Sequence, residues 1–67
     1  MNKHTLFTEQ KEILPMFTFL MGLRIDPKVK DICLFINKKI NVETETRIVA
    51  VKLTPDSNFY EVTVKPI

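Results

Sequence analysis

A single cysteine in a chain of 67 residues removes the usual support of a small fold. A domain of this size buries only about 60% of its unfolded surface, and its core rarely supplies more than roughly 3–5 kcal/mol. An internal disulfide needs a second thiol beside Cys33, and a zinc site would have only Cys33 and His4 as soft ligands. What remains is tight packing or self-association. A lone thiol without a disulfide framework also fits a reducing compartment, so the expected location is the cytoplasm, that of the host if the chain is viral.

The balance of 45% hydrophobic and 27% charged residues is that of one globular domain over 1–67, with residues 1–7 read as a short tail. Gly22 is the only glycine, so none of the glycine-based nucleotide fingerprints can be written. Ten basic against eight acidic residues leave a net charge of +2, well short of a dense nucleic-acid-binding stripe. Phe, Tyr, Met, Ile, Asn and Lys supply 28 of the 67 residues; AT-rich codons favour these types, and in composition the chain resembles small proteins of phages and mobile elements of low-GC bacteria. The apolar stretch Ile13 to Ile25 carries Pro15 and Gly22 and is too short to span a bilayer. No membrane association is expected.

The periodicity predicts an α+β fold, two N-terminal helices followed by an antiparallel β-hairpin. Thr8 reads as an N-cap, and the first helix runs toward Met21, with Gly22 at a left-handed C′ position. Pro15 either kinks that helix or opens a new one after a short turn. Asp26-Pro27 reads as the start of a second helix, and Val29, Ile32, Cys33 and Ile36 recur at helical spacing up to Lys38 and Lys39. A strand through Ile32 to Ile36 is the competing reading. After Ile40 the period becomes two. Arg47 to Thr54 and Phe59 to Pro66 flank Pro55-Asp56-Ser57-Asn58, which has the chemistry of a type I turn. The implied register sets Val49, Val51 and Leu53 opposite Val64, Val62 and Tyr60 on one face, and Lys52 opposite Glu61 on the other. Asn41 to Thr46 extends the first strand or forms a polar connection.

Groups capable of chemistry are sparse. His4 lies in the tail with no carboxylate near it in sequence, and Cys33 falls on the apolar stripe. Glu43 and Glu45 share a face but lack a third ligand. The expectation is no catalytic residue, no metal and no cofactor. Two helices over one hairpin face leave Met16, Phe19, Leu23, Leu34 and Phe35 without an intrachain partner, which predicts a homodimer whose seam they form and whose pairing completes the sheet. The function expected is therefore a small non-enzymatic interaction protein, a homodimeric regulator or inhibitor with a macromolecular partner. Two alternatives stand beside it. One is a weak nucleic-acid binder using Lys28, Lys30, Lys38, Lys39, Arg47 and Lys52; the other is a structural subunit of a larger assembly.

Overall fold

The computed structural model describes residues 2–10 and 15–67. Its five strands are β1 (Lys3–Phe7), β2 (Phe17–Gly22), β3 (Ile32–Asn37), β4 (Val42–Leu53) and β5 (Phe59–Pro66). They form one sheet in the order β1-β3-β4-β5-β2, curled into a half-barrel. The β1–β3 pair is parallel and the other pairs are antiparallel. The only described helical residues are the single 3-10 turn Leu23–Ile25.

The α+β expectation is therefore wrong. So is the expectation that a second copy supplies the missing strands, because the chain builds all five itself. The tail is β1, paired with β3 from Lys3 opposite Ile32 to Phe7 opposite Ile36. The end of the first expected helix is β2, in which Phe17, Phe19 and Met21 alternate with Thr18 and Leu20. That period of two, in aromatic residues, suits a strand. Thr8 to Gln10, the expected start of that helix, are not helical, and Lys11 to Leu14 lie outside the described residues. Pro15 stands before β2, where it removes no ladder hydrogen bond. Gly22 is extended, with φ −64 and ψ 151, and the left-handed positions belong to Asp26, Lys30, Asn41 and Ser57.

The second expected helix is β3. Its run Ile-Cys-Leu-Phe-Ile is apolar at every position, and such a run satisfies either period. A helix would bury one stripe of it. The strand instead buries Cys33, Phe35 and Asn37 on the inner face, with Ile32, Leu34 and Ile36 half-buried on the other. Asp26-Pro27 opens no helix. Asp26 caps the 3-10 turn in a left-handed conformation.

The hairpin stands as expected through most of its length. Ala50 lies opposite Thr63, Val51 opposite Val62, Lys52 opposite Glu61 and Leu53 opposite Tyr60. The Ser57 N–H donates to the Thr54 carbonyl at 2.9 Å, which closes a turn around Pro55 and Asp56. Val49 breaks the pattern. A bulge lies between Ile48 and Ala50, so Ile48, not Val49, opposes Val64. Before the bulge Thr46 and Ile48 face inward; after it Val51 does, and Val49 is left exposed. Asn41 to Thr46 is resolved in favour of the strand, since β4 begins at Val42.

The core lies inside the curl. Met21, Cys33, Phe35, Ile48, Val62 and Val64 are buried, and Leu6, Phe17, Phe19, Val51 and Tyr60 pack against them. The rings of Phe17, Phe19 and Phe35 meet in a triangle with centroids 5.2–5.7 Å apart. The Lys52–Glu61 pair, 3.7 Å apart on the outer face, is exposed and adds little.

Phe35→Ala is expected to remove about 3–5 kcal/mol, close to the whole stability of a domain this small, while Leu34→Ala on the outer face is expected to cost less than about 1.5 kcal/mol. Urea denaturation followed by circular dichroism separates the two. Equal losses would show that Phe35 does not anchor the core.

Candidate interaction surface

The most organised polar cluster surrounds Asp31, which is 2% exposed. Its carboxylate accepts from the Asn2 N–H at 3.1 Å, the Lys28 N–H at 3.0 Å and His4 Nε2 at 3.0 Å. The Asp31 backbone also joins the sheet, its carbonyl accepting from the Ile48 N–H at 2.9 Å. Burial pushes the carboxyl up. The hydrogen bonds from His4, Asn2 and Lys28 and the attraction of the imidazole outweigh it, and hold Asp31 below its ordinary value of 3.8. His4 is thus not a tail histidine without a carboxylate. The parallel pairing of β1 with β3 brings it to a residue 27 positions away, a proximity that no local pattern encodes.

A histidine held by a buried aspartate also supplies two of the three members of a nucleophilic triad, and Cys33 is its register neighbour. The thiol does not suit that role. Cys33 is wholly buried, and burial, with the Asp31 charge adding to it, pushes the thiol up to about 11. The cluster ties three segments together: the start of β1, the β2–β3 connection and, through Ile48, β4. Among the described residues no three His, Cys, Asp or Glu side chains converge on a common point.

The expected interface residues scatter. Phe35 is buried and Phe19 packs its ring against the core, so the five do not gather on one outward face as the helical reading required. Met16 and Leu23 are exposed at opposite ends of β2, and Leu34 lies on the outer face of β3. The expected nucleic-acid contacts are also dispersed. Lys38 and Lys39 sit at the β3–β4 turn, Arg47 lies midway along β4, and Lys52 is near its far end, roughly 30 Å from the turn at about 3.3 Å per residue. Lys28 and Lys30 are in the β2–β3 connection. Lys28 pairs with Asp26 at 3.2 Å and Lys39 with Glu9 at 3.3 Å.

The outer face of β3 was not foreseen as a unit. Ile32, Leu34 and Ile36 form a stripe, and Phe7 of β1, 65% exposed, continues it beside Ile36. Lys38 Nζ rests 4.4 Å from the Phe7 ring centroid. Register places Lys3 and Arg47 on either side of Ile32, Glu45 beside Leu34 and Glu43 beside Ile36. The result is an apolar strip with a rim of both signs. The two-sided apolarity of β3 was visible in sequence, but a helical reading folds it into other faces, and Phe7 was counted with the tail. An open cleft of about 310 Å³ lies at the end of this strip, among Phe7, Thr8, Glu9, Ile36, Asn37, Lys38 and Lys39. Neither His4 nor Cys33 lines it.

No described helix is long and apolar enough to cross a membrane. Comparison with protein-family models, with curated proteins and with solved structures finds no match.

Two outcomes follow from the Asp31 cluster. A folded-state pKa below 3.8 means that Asp31 adds stability in full above that pH and loses it as pH falls through the lower folded value. Asp31→Asn turns an acceptor toward N–H donors into an amide. The variant is expected to lose about 1–3 kcal/mol near pH 7 and to show a shallower acid-side decline than wild type, by urea denaturation across pH. A variant with wild-type stability near neutrality would refute the role. Secondly, Cys33 is expected to resist thiol-specific labelling in the native protein near pH 8 and to react at once in denaturant. Rapid native labelling would contradict its burial.

Proposed function

We propose that this chain is a non-enzymatic protein-interaction module, a homodimeric regulator or inhibitor of the phage or mobile-element type, acting in the cytoplasm. Its partner protein docks on the outer face of β3. The observation that carries this reading is the two-sided apolarity of β3. A strand of an antiparallel sheet with one wet face alternates apolar and polar residues; a strand apolar on both faces belongs to a sheet covered on both. Here the inner face holds Cys33 and Phe35, while Ile32, Leu34 and Ile36 on the other face are only partly buried. An apolar centre within a polar rim is the anatomy of a protein–protein contact.

The rim also bears on the rival readings. Glu43 and Glu45 stand along the same strip as Arg47 and would repel a phosphate backbone that the cations attract. Catalysis finds no support in the Asp31–His4 pair, whose neighbouring thiol is buried and protonated.

Leu34→Lys tests the reading. The new lysine faces Glu45 across the ladder, so the monomer keeps its fold. Immobilised wild type is expected to retain one host or cognate protein through a high-salt wash, and the variant to lose it. Equal retention by both, or retention only of nucleic acid that salt releases, would overturn it.

A further inference from the structure

We infer that two copies of this chain join edge to edge along β2, antiparallel, with Phe19 of one copy opposite Phe19 of the other. This rests on the self-association in the proposed function and names its seam. β2 is an edge strand: β5 pairs with one side of it, and no described strand pairs with the other. An unpaired edge presents a row of N–H and C=O groups, and chains that stay monomeric blunt such rows with charge, proline or a bulge. Phe17–Gly22 holds none of these, being Phe-Thr-Phe-Leu-Met-Gly in unbroken register with β5. The opposite edge, β1, differs. It carries Lys3, and its His4 is committed to Asp31.

Charge and pleat select a second copy as the occupant. Because β2 is uncharged, pairing it with itself opposes no like charges. An antiparallel pair within one continuous sheet has its two-fold axis perpendicular to that sheet, so each residue meets one of its own face. Inner residues Phe17, Phe19 and Met21 then face Met21, Phe19 and Phe17 of the second copy. On the outer face Thr18 faces Leu20 and Leu20 faces Thr18. Shifting the centre to Leu20 would pair Thr18 with Gly22 and leave Phe17 outside the ladder, so the Phe19-centred register keeps more aromatic surface in contact. The contact is isologous and closes at two copies. It also leaves the outer face of β3 clear, because β4 and β5 stand between the two strands.

Charge exchange at positions 18 and 20 tests the seam. In the dimer, Thr18→Lys with Leu20→Lys sets lysine against lysine on both sides of the axis. Thr18→Glu with Leu20→Lys sets glutamate against lysine instead. Within the monomer, position 18 faces Thr63 and position 20 faces Glu61, so neither variant opposes like charges there. Sedimentation equilibrium at micromolar concentration is expected to give wild type and the Glu/Lys variant at twice 7.8 kDa, and the Lys/Lys variant at 7.8 kDa. A monomeric wild type overturns both the seam and the self-association. A Lys/Lys variant that stays dimeric overturns the seam alone, and both variants monomeric overturns the Phe19-centred register. Isotope-filtered NMR of mixed labelled wild type does not depend on the variants folding. A cross-peak between copies from the Thr18 methyl to the Leu20 methyls is expected, and its absence in a dimeric sample overturns the pairing.

Discussion

The contact among Phe17, Phe19 and Phe35 sets the shape of this molecule. In the sheet order, β2 and β3 are separated by β4 and β5, three ladder steps apart. On a flat sheet their side chains would stand about 14 Å from each other. The rings of Phe17 and Phe19 instead lie 5.2 Å and 5.4 Å from that of Phe35, which requires the sheet to curl. With one sheet and no second layer among the described residues, curling is how this chain can surround its own apolar side chains. The tilted and edge-on ring geometries also suit aromatic quadrupoles better than flat stacking.

β4 makes the curl possible. Its first half pairs with β3 and most of its length with β5, so one strand of 12 residues serves both wings. The bulge at Val49 falls just past the end of the β3 pairing, within the ladder to β5. It moves the inward-facing parity from Thr46 and Ile48 to Val51 and bends the strand where a half-barrel needs a corner. Buried polar groups near the same wing are satisfied locally. The Thr46 hydroxyl donates to the Cys33 carbonyl at 2.8 Å, and Asn37 Oδ1 accepts from Lys39 N–H at 3.0 Å. Polar atoms thus enter the core at the seam between β3 and β4 with their hydrogen bonds met.

What the residues disclosed in advance follows the range of the interactions. The β4–β5 hairpin was legible because turn chemistry, polarity and strand period agree within about 20 residues. The bulge was not, since Ile48-Val49-Ala50-Val51 is apolar throughout and carries no parity. β3 was misread because Ile32 to Ile36 satisfies both periods, and Asp26-Pro27 then tipped it toward a helix. β2 was misread although Phe17, Phe19 and Met21 alternate, because Leu20 fills a helical arc equally well. The Asp31–His4 contact could not be read at all, as it depends on a parallel pairing that only the finished sheet creates. The partly buried apolar strip on the outer face of β3 follows from the same run of residues, once it is known to be a strand.

The sheet order carries a consequence for how the chain reaches this state. β3, β4 and β5 follow one another in sequence and pair as neighbours through short turns, so they form a meander whose loops close cheaply. β1 and β2, synthesised first, have no partner until that meander exists: Lys3 must find Ile32, and Phe17 must find Val64. Each outer strand therefore pairs only with a strand that lies later in the sequence, across a long stretch of chain. Chains governed by such distant pairings fold slowly, in about milliseconds to seconds. During that interval, and on the ribosome until β5 has emerged, the phenylalanines of β2 are solvent-facing. The aromatic residues of β2 stay without their ladder partner until β5 has been made.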